Sequence, residues 1–213
     1  MENLSDIELR AHENSIIGKK EISFANELKK IAKEELKKAE NREALMQSQL
    51  IIAKLREDLA EENKELIDHK VKSKHLIKAS EIVLKHDQEF THFHQKKAKV
   101  QKEIATIHKE IAQLERKIAE RRIELAKEKI DMGKKRIHLS KKQLTFVKAV
   151  KAGKEEEKFS TIQYQYKTEQ KELNAARDDI LNIEKEIRNN ENKIAGLKGK
   201  LALKLAETEK ILY

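Results

Sequence analysis

The histidines are the side chains of this sequence that come closest to supporting chemistry. His86, His92 and His94 lie close together, with His69 and His75 upstream. A neutral imidazole binds metal ions, and its ordinary pKa of about 6.5 allows proton exchange near neutral pH. On a helix, however, residues two apart point about 200° away from each other, so His92 and His94 cannot hold one metal ion together. No two histidines are four residues apart. We therefore expect no metal site.

No other catalytic pattern is present in the sequence. The chain has no cysteine, which excludes disulfides and thiolate ligands. It has no glycine-rich phosphate loop and no serine, histidine and aspartate in a hydrolase order. Its apolar residues form thin stripes, which supply no pocket that excludes water. The sequence predicts a protein that is not an enzyme and uses no cofactor.

Basic residues are concentrated in one stretch of the chain. From Arg121 to Val150 there are ten basic and three acidic residues. The residues that we assign to a patch for an anionic partner are Lys134, Lys135, Arg136, Lys141, Lys142, Lys148 and Lys151. An anionic membrane surface or an acidic protein would fit this patch, whereas nucleic acid is less favoured because no aromatic residues alternate with the basic ones. Alternatively, these side chains solvate an apolar helix and pair with acidic neighbours.

Composition indicates the elements that must position these residues. The 213 residues include no proline and five glycines, and 40% of them are charged. Proline interrupts helices, so its absence leaves helix as the favoured conformation almost everywhere. Aromatic residues make up only 4%, which argues against an ordinary compact core. We expect an all-α protein, an elongated coiled coil of long helices.

Apolar residues at steps of three and four predict two helices that pack against each other. The predicted seam consists of Ile104, Ile107, Ile111, Leu114, Ile118 and Leu125 on the first helix and Ile180, Ile183, Ile187, Ile194, Leu197 and Leu201 on the second. In an antiparallel pair the numbers of facing residues have a constant sum, and a sum of 308 puts the fold-back beside Gly153. The sequence thus predicts an antiparallel hairpin of residues 96–151 and 160–211. Its turn occupies residues 152–159, before a capping box at Ser160.

The rest of the chain divides into two predicted segments. Residues 1–20 form an N-terminal segment, in which Gly18 marks a break or only a weak point in a helix. Residues 21–95 form a long helix with a row of large apolar residues seven apart, namely Leu45, Ile52, Leu59 and Leu66. Residues 91–95 separate this helix from the hairpin, and a turn, a bend or a continuous helix would each fit there.

A second apolar row on the first hairpin helix predicts assembly. It consists of Ile123, Ile130, Ile137 and Leu144. This row lies about 200° around the axis from the row that contains Leu125, so one partner helix cannot cover both. The row must meet the N-terminal helix or another chain, because an exposed apolar strip of that length favours association. Self-association is therefore expected.

One segment is similar to a known repeat. Residues 15–29 read SIIGKKEISFANELK, and Leu50–Ala53, which read LIIA, repeat the opening 35 residues later. This pattern resembles the coiled-coil linker repeats of bacterial sensor kinases and cyclic-dinucleotide signalling proteins. The resemblance implies a signalling-type helical linker. No catalytic domain accompanies it, because His86 is not followed by the expected proline and no nucleotide-binding glycine box is present.

Together these patterns favour a structural role. No apolar run approaches the roughly 20 residues that cross a bilayer, and the N-terminus lacks the apolar run of a signal peptide, so we expect a cytoplasmic protein. The predicted function is that of a self-associating coiled-coil subunit of a filament or scaffold. Two alternatives are a membrane-remodelling protein that binds anionic lipid through residues 121–151, and a signalling adaptor.

Overall fold

Three α-helices account for nearly all of the protein. The computed structural model describes residues 4–72, 78–153 and 156–212. All of these residues except Ala152 and Gly153 lie in α1 (Leu4–Lys72), α2 (Lys78–Lys151) and α3 (Glu156–Leu212). No β-strand occurs within these ranges, which confirms the all-α class. No helix in them has both the length and the apolar content that crossing a membrane requires.

Helix α1 includes most of the expected N-terminal segment. It begins at Leu4 and continues through Gly18. A glycine inside a helix costs only about 1 kcal/mol relative to alanine, and the long stretches on both sides carry no proline. Gly18 therefore marks no break in the helix.

The boundary between the first two helices differs from the expected one. Helix α1 ends at Lys72 and α2 begins at Lys78, so residues 91–95 lie within a continuous helix. Residues 21–95 consequently belong to two helices. The sequence around Lys72 contains neither glycine nor proline, so no residue type there indicates a boundary. One residue of the histidine group, His75, lies outside the described residues.

Glycine marks the end of α2. Gly153 has a φ of 61°, a left-handed conformation that costs glycine little and is common just after a helix. The N–H of Ala152 donates to the carbonyl of Lys148 at 3.0 Å, and that of Gly153 to Val150 at 3.1 Å. Helix α3 begins at Glu156, four residues before Ser160, because no helix breaker occurs between them. Of the expected turn at 152–159, residues 154 and 155 lie outside the described residues.

The chain forms two compact units, each built from parts of all three helices. Unit 1 comprises Met1–Leu36 and Ile118–Asn189, and unit 2 comprises Lys37–Lys117 and Asn190–Tyr213. In both units α2 contacts α1 through buried small residues and ion pairs. Its contacts with α3 include ion pairs in both units. The buried isoleucines and leucine of these two helices are Ile118, Leu139, Ile180, Ile183 and Ile187 in unit 1 and Ile111 and Ile194 in unit 2.

Candidate functional site

Small residues spaced seven apart occupy the contact between α1 and α2. In unit 1 the buried members are Ala11, Gly18, Ala25 and Ala32 on α1 and Ala119, Ala126, Gly133, Ser140 and Val147 on α2. In unit 2 they are Ala39, Met46, Ala53 and Ala60 on α1 and Thr91, Ala98, Ala105 and Ala112 on α2. Short side chains let two helix backbones approach closely, which extends van der Waals contact along their whole length.

The closest approach lies in unit 1 at two glycines. A Cβ atom on Gly18 would lie 2.6 Å from the carbonyl oxygen of Gly133 and 2.9 Å from Cγ1 of Ile137. A Cβ atom on Gly133 would lie 2.8 Å from the carbonyl oxygen of Gly18. All three distances are too short for a real side chain, so the two positions require glycine unless the helices move apart.

Ion pairs border the small-residue contact in both units. In unit 1, Arg136 and Arg122 on α2 lie 2.9 Å and 2.8 Å from the carboxylates of Glu21 and Glu35 on α1. In unit 2, Lys102 and Arg116 on α2 likewise pair with Glu57 and Glu43 on α1. One further pair of unit 2 has the opposite signs, because Arg42 on α1 lies 2.9 Å from Glu115 on α2. Pairs of this exposure each contribute about 0–1 kcal/mol. Their positions therefore decide which residues face each other more than how stable the contact is.

Glu21 on α1 and Lys204 on α3 have shifted pKa values. Burial raises the pKa of Glu21, although Arg136 acts in the opposite direction. The ammonium group of Lys204 donates hydrogen bonds to Glu103 and Glu207, each 2.7 Å long, and these bonds raise the pKa of Lys204 to about 12. The ordinary lysine pKa is 10.5, so these bonds stabilise the folded form fully below pH 10.5. That stabilisation is lost as the pH rises past about 12.

A second row on α1 is exposed and apolar. Its members, seven apart with Lys38 interrupting them, are Ile17, Phe24 and Ile31 in unit 1 and Leu45, Ile52, Leu59 and Leu66 in unit 2. Between 41% and 60% of the surface of each is exposed. Helix α1 therefore carries apolar residues on two faces. The side chains of the exposed face are much larger than the alanines that face α2. A helix of this kind ordinarily has two helical partners.

In unit 1 this row forms one wall of a groove. The apolar residues that line the groove are Phe24 on α1, Met132 on α2, and Ile180 and Leu181 on α3. The charged residues around the groove are Glu21, Lys129, Arg136, Arg177 and Glu184. The groove is open to solvent and has apolar edges, so it fits a side chain or helix face better than a small polar substrate.

The residues of the predicted hairpin seam occupy protected positions. All twelve are buried or half-buried: Ile104, Ile107, Ile111, Leu114, Ile118 and Leu125 on α2, and Ile180, Ile183, Ile187, Ile194, Leu197 and Leu201 on α3. Contacts between the same helices include the ammonium group of Lys129 with Glu184 at 3.0 Å and the stacked rings of Phe146 and Tyr166.

The residues of the predicted assembly face have neighbours within the chain. Ile123, Ile130, Ile137 and Leu144 are all half-buried. Ile137 contacts α1 at Gly18, close enough that a methyl group there would collide with it. The sequence allows either the N-terminal helix or another chain as the neighbour of this row, and at Ile137 the neighbour is the N-terminal helix. The exposed apolar row of α1, from Ile17 to Leu66, is more exposed than this row on α2.

Internal pairing divides the predicted anionic-partner patch. Arg136 and Lys151 pair with Glu21 and Glu8 on α1, and Lys135 pairs with Asp131. Lys142 donates to Gln165 on α3 at 3.0 Å.

The other three members of the patch, Lys134, Lys141 and Lys148, are exposed and form no ion pair with described residues. The hydrogen bond from Lys151 is the main cause that lowers the pKa of Glu8. The charge of Lys148 lowers it further by a smaller amount. Together with the exposed Lys127, the three form a row seven residues apart on α2.

Three histidines of the predicted group, His86, His92 and His94, lie on α2. The ring of His94 contacts Phe90 and Phe93 edge-on, with centroids 4.3 Å and 5.5 Å apart. Throughout the ranges that the structure describes, no three histidine, cysteine, aspartate or glutamate residues are grouped to hold a metal ion.

Comparison with known proteins does not assign the chain. No protein-family model, no curated protein and no solved structure matches it.

Sequence reasoning based on leucine and isoleucine does not find the contact between α1 and α2. The signal is nevertheless in the sequence, as small residues every seven positions from Ala11 to Ala60, interrupted only by Met46, and again from Ala98 to Gly133. Alanine contributes little to a hydrophobic pattern, so this periodicity is visible only when small residues are counted as a class of their own.

Proposed function

We propose that this protein is a non-enzymatic coiled-coil scaffold that works through helix–helix contacts and associates with itself. The observation that carries the proposal is the exposed apolar row of α1, from Ile17 to Leu66. Seven-residue spacing is the repeat by which one helix packs along another. The described residues of the same chain leave this row largely uncovered, and an apolar strip of this length favours association in water.

The pattern of contacts supports an antiparallel coiled coil as the architecture of the scaffold. For ion pairs between α1 and α2, the two residue numbers add to 157 or 159 along the whole length of the contact. For contacts between α2 and α3 they add to between 307 and 313. A nearly constant sum is what helices running in opposite directions produce. The second range includes the value of 308 expected from the sequence.

Measurement of mass in solution tests the proposed function. We expect light scattering to give a mass above that of one chain, 24.8 kDa, and to rise with protein concentration. The variant with Ile31→Lys and Ile52→Lys should lower that mass at unchanged helicity, because two charges in the row would have to be buried in any interface.

The matched control adds the same charge to a different face of α1. Asn26→Lys with Gln47→Lys changes two exposed residues about 200° around the axis from the row, and it should leave the mass unchanged. A wild-type chain that stays monomeric at every concentration contradicts the proposal. If such a monomer formed a defined complex with one other protein, the signalling adaptor would be the better description.

A second candidate function is binding to an anionic membrane surface. The observation that favours it is the row of Lys127, Lys134, Lys141 and Lys148, four exposed ammonium groups that form no ion pair with described residues. Each basic residue near an anionic bilayer contributes about 1 kcal/mol of binding free energy at physiological salt.

Vesicle sedimentation tests this candidate. Changing the four lysines to glutamine should reduce binding to phosphatidylserine vesicles at least tenfold, whereas a control with Lys30, Lys33, Lys37 and Lys38 changed to glutamine removes the same charge from α1 and should retain most of it. Binding to neutral vesicles, or equal loss in both variants, would contradict a specific role for the row.

A further inference from the structure

Between residues 45 and 66, α1 leaves most of its large apolar side chains exposed. Within unit 2 the exposed large apolar residues of this segment are Leu45, Ile51, Ile52, Leu55, Leu59 and Leu66, each exposed over half or more of its surface. The buried apolar ones are Met46, Leu50, Ala53 and Ala60, and Leu50 and Ala53 form a cluster with Ala105 of α2. In an ordinary surface helix the larger apolar residues face the neighbouring helix. Here only two of the large ones, Met46 and Leu50, are buried.

We propose that residues 45–66 of α1 form a twofold-symmetric helix–helix interface with the same segment of a second copy of this chain. The proposal rests on the proposed self-association and names its surface and its partner. Leu45, Ile52, Leu59 and Leu66 follow one another at three successive seven-residue steps, the spacing by which one helix packs along another.

The partner follows from what a second copy can offer. Among the α2 side chains that the structure describes, the exposed large apolar ones are Val83 and Phe90. On α3 they include Leu181, Leu203 and Leu205, which are not spaced by seven. Among the described residues, α1 therefore presents the one long apolar row that matches residues 45–66 in residue type and repeat. A surface that matches itself pairs by a twofold axis, the commonest symmetry of protein dimers.

The charges beside the row favour the same partner. On its outer side the flanking positions Asn41, Ser48 and Leu55 are uncharged, and only Glu62 carries a charge. On its inner side the flanking positions are Arg42, Gln49, Arg56 and Asn63, and the two arginines contact Glu115 and Gln101 of α2. Charged flanking residues set the choice of partner chain, and like charges oppose self-pairing. Because the outer flank is almost neutral and α2 holds the inner arginines, two copies meet with little repulsion.

The absence of cysteine from the chain makes the interface directly testable. Single cysteines are introduced at Leu45, Ile52, Leu55, Leu59 or Leu66, and in control variants at the exposed residues Gln47 and Glu61. Each variant is oxidised at the same concentration, and disulfide-linked dimers are measured on non-reducing gels. A disulfide requires Cα atoms within about 7 Å, so only positions close to the twofold axis react with their own copy.

We expect at least one of these positions to form dimers ten times faster than either control. Reaction at every position of the row indicates parallel helices, and reaction at one or two neighbouring positions indicates antiparallel ones; both outcomes support the interface. Rates at all five positions no higher than in the controls overturn it.

The mass of the wild-type chain separates this inference from the proposed function. An oligomeric wild-type chain whose row cysteines do not react overturns the interface but leaves self-association intact. A chain that is monomeric at every concentration overturns both. A further check is Ile52→Lys with Leu59→Lys, which should raise the dissociation constant of the dimer more than tenfold relative to Gln47→Lys.

Discussion

At the scale of single residues, two kinds of glycine occur within the helices of this protein. Gly18 and Gly133 lie where α1 and α2 approach each other, and each would place a Cβ atom within 3 Å of the other's carbonyl oxygen. Gly196 and Gly199 on α3 have no atom within 4 Å of such a position. The first pair is required by packing, whereas the second only lowers the helix propensity of α3.

This difference predicts opposite effects of the same substitution. Gly18→Ala should lower the free energy of unfolding by about 1–3 kcal/mol, because the collision with a backbone atom outweighs the gain in helix propensity. Gly196→Ala should raise it by about 0.5–1 kcal/mol, because nothing obstructs the added methyl group. Urea unfolding followed by circular dichroism measures both changes. Equal effects of the two variants would show that α1 and α2 are further apart at Gly18 than described.

At the scale of the helices, α1 is distinguished by its two apolar faces. One face consists of small residues and is buried against α2, and the other consists of large residues and is exposed. Helix α2 instead has its two apolar rows covered at least in part by α1 and α3 within the chain. An apolar row can therefore stabilise the chain or be available for assembly, and exposure distinguishes the two.

Two isoleucines test that distinction. Ile137→Lys on α2 should lower the free energy of unfolding by about 1–3 kcal/mol, because its side chain is half-buried against Gly18 and a charge there loses hydration. Ile31→Lys on α1 should change it by less than about 0.5 kcal/mol when measured at a concentration where the chain is monomeric, because Ile31 is exposed. The result would be contradicted if Ile31→Lys proved to be the more destabilising of the two.

At the scale of the whole molecule, the sequence predicts the helical class but not the division into helices. Lack of proline and apolar spacing identify helix almost everywhere, and Gly153 marks the end of α2. The boundary between Lys72 and Lys78 has no comparable residue, because a chain rich in lysine, glutamate and leucine continues a helix equally well on both sides. The α1–α2 contact depends on alanine, whose weak hydrophobicity hides it among solvated positions.

The site residues, like the fold, are predictable from the sequence only in part. Twelve seam positions follow from a seven-residue apolar repeat, and all of them are protected from solvent. The basic patch follows from counting charges, but which lysines remain exposed depends on acidic residues more than a hundred positions away, such as Glu8 beside Lys151. No local pattern contains that information.

The pair of Arg42 with Glu115 has a consequence for how the helices find their alignment, because its signs are opposite to those of the other pairs between α1 and α2. Alanines repeated every seven residues offer nearly the same surface after a slip of one repeat, so packing alone distinguishes poorly between neighbouring alignments. In the proposed antiparallel arrangement, a slip in one direction would bring Arg42 to Arg122, and a slip in the other would bring Glu35 to Glu115. Either slip thus places like charges together at this point, which disfavours the misaligned form.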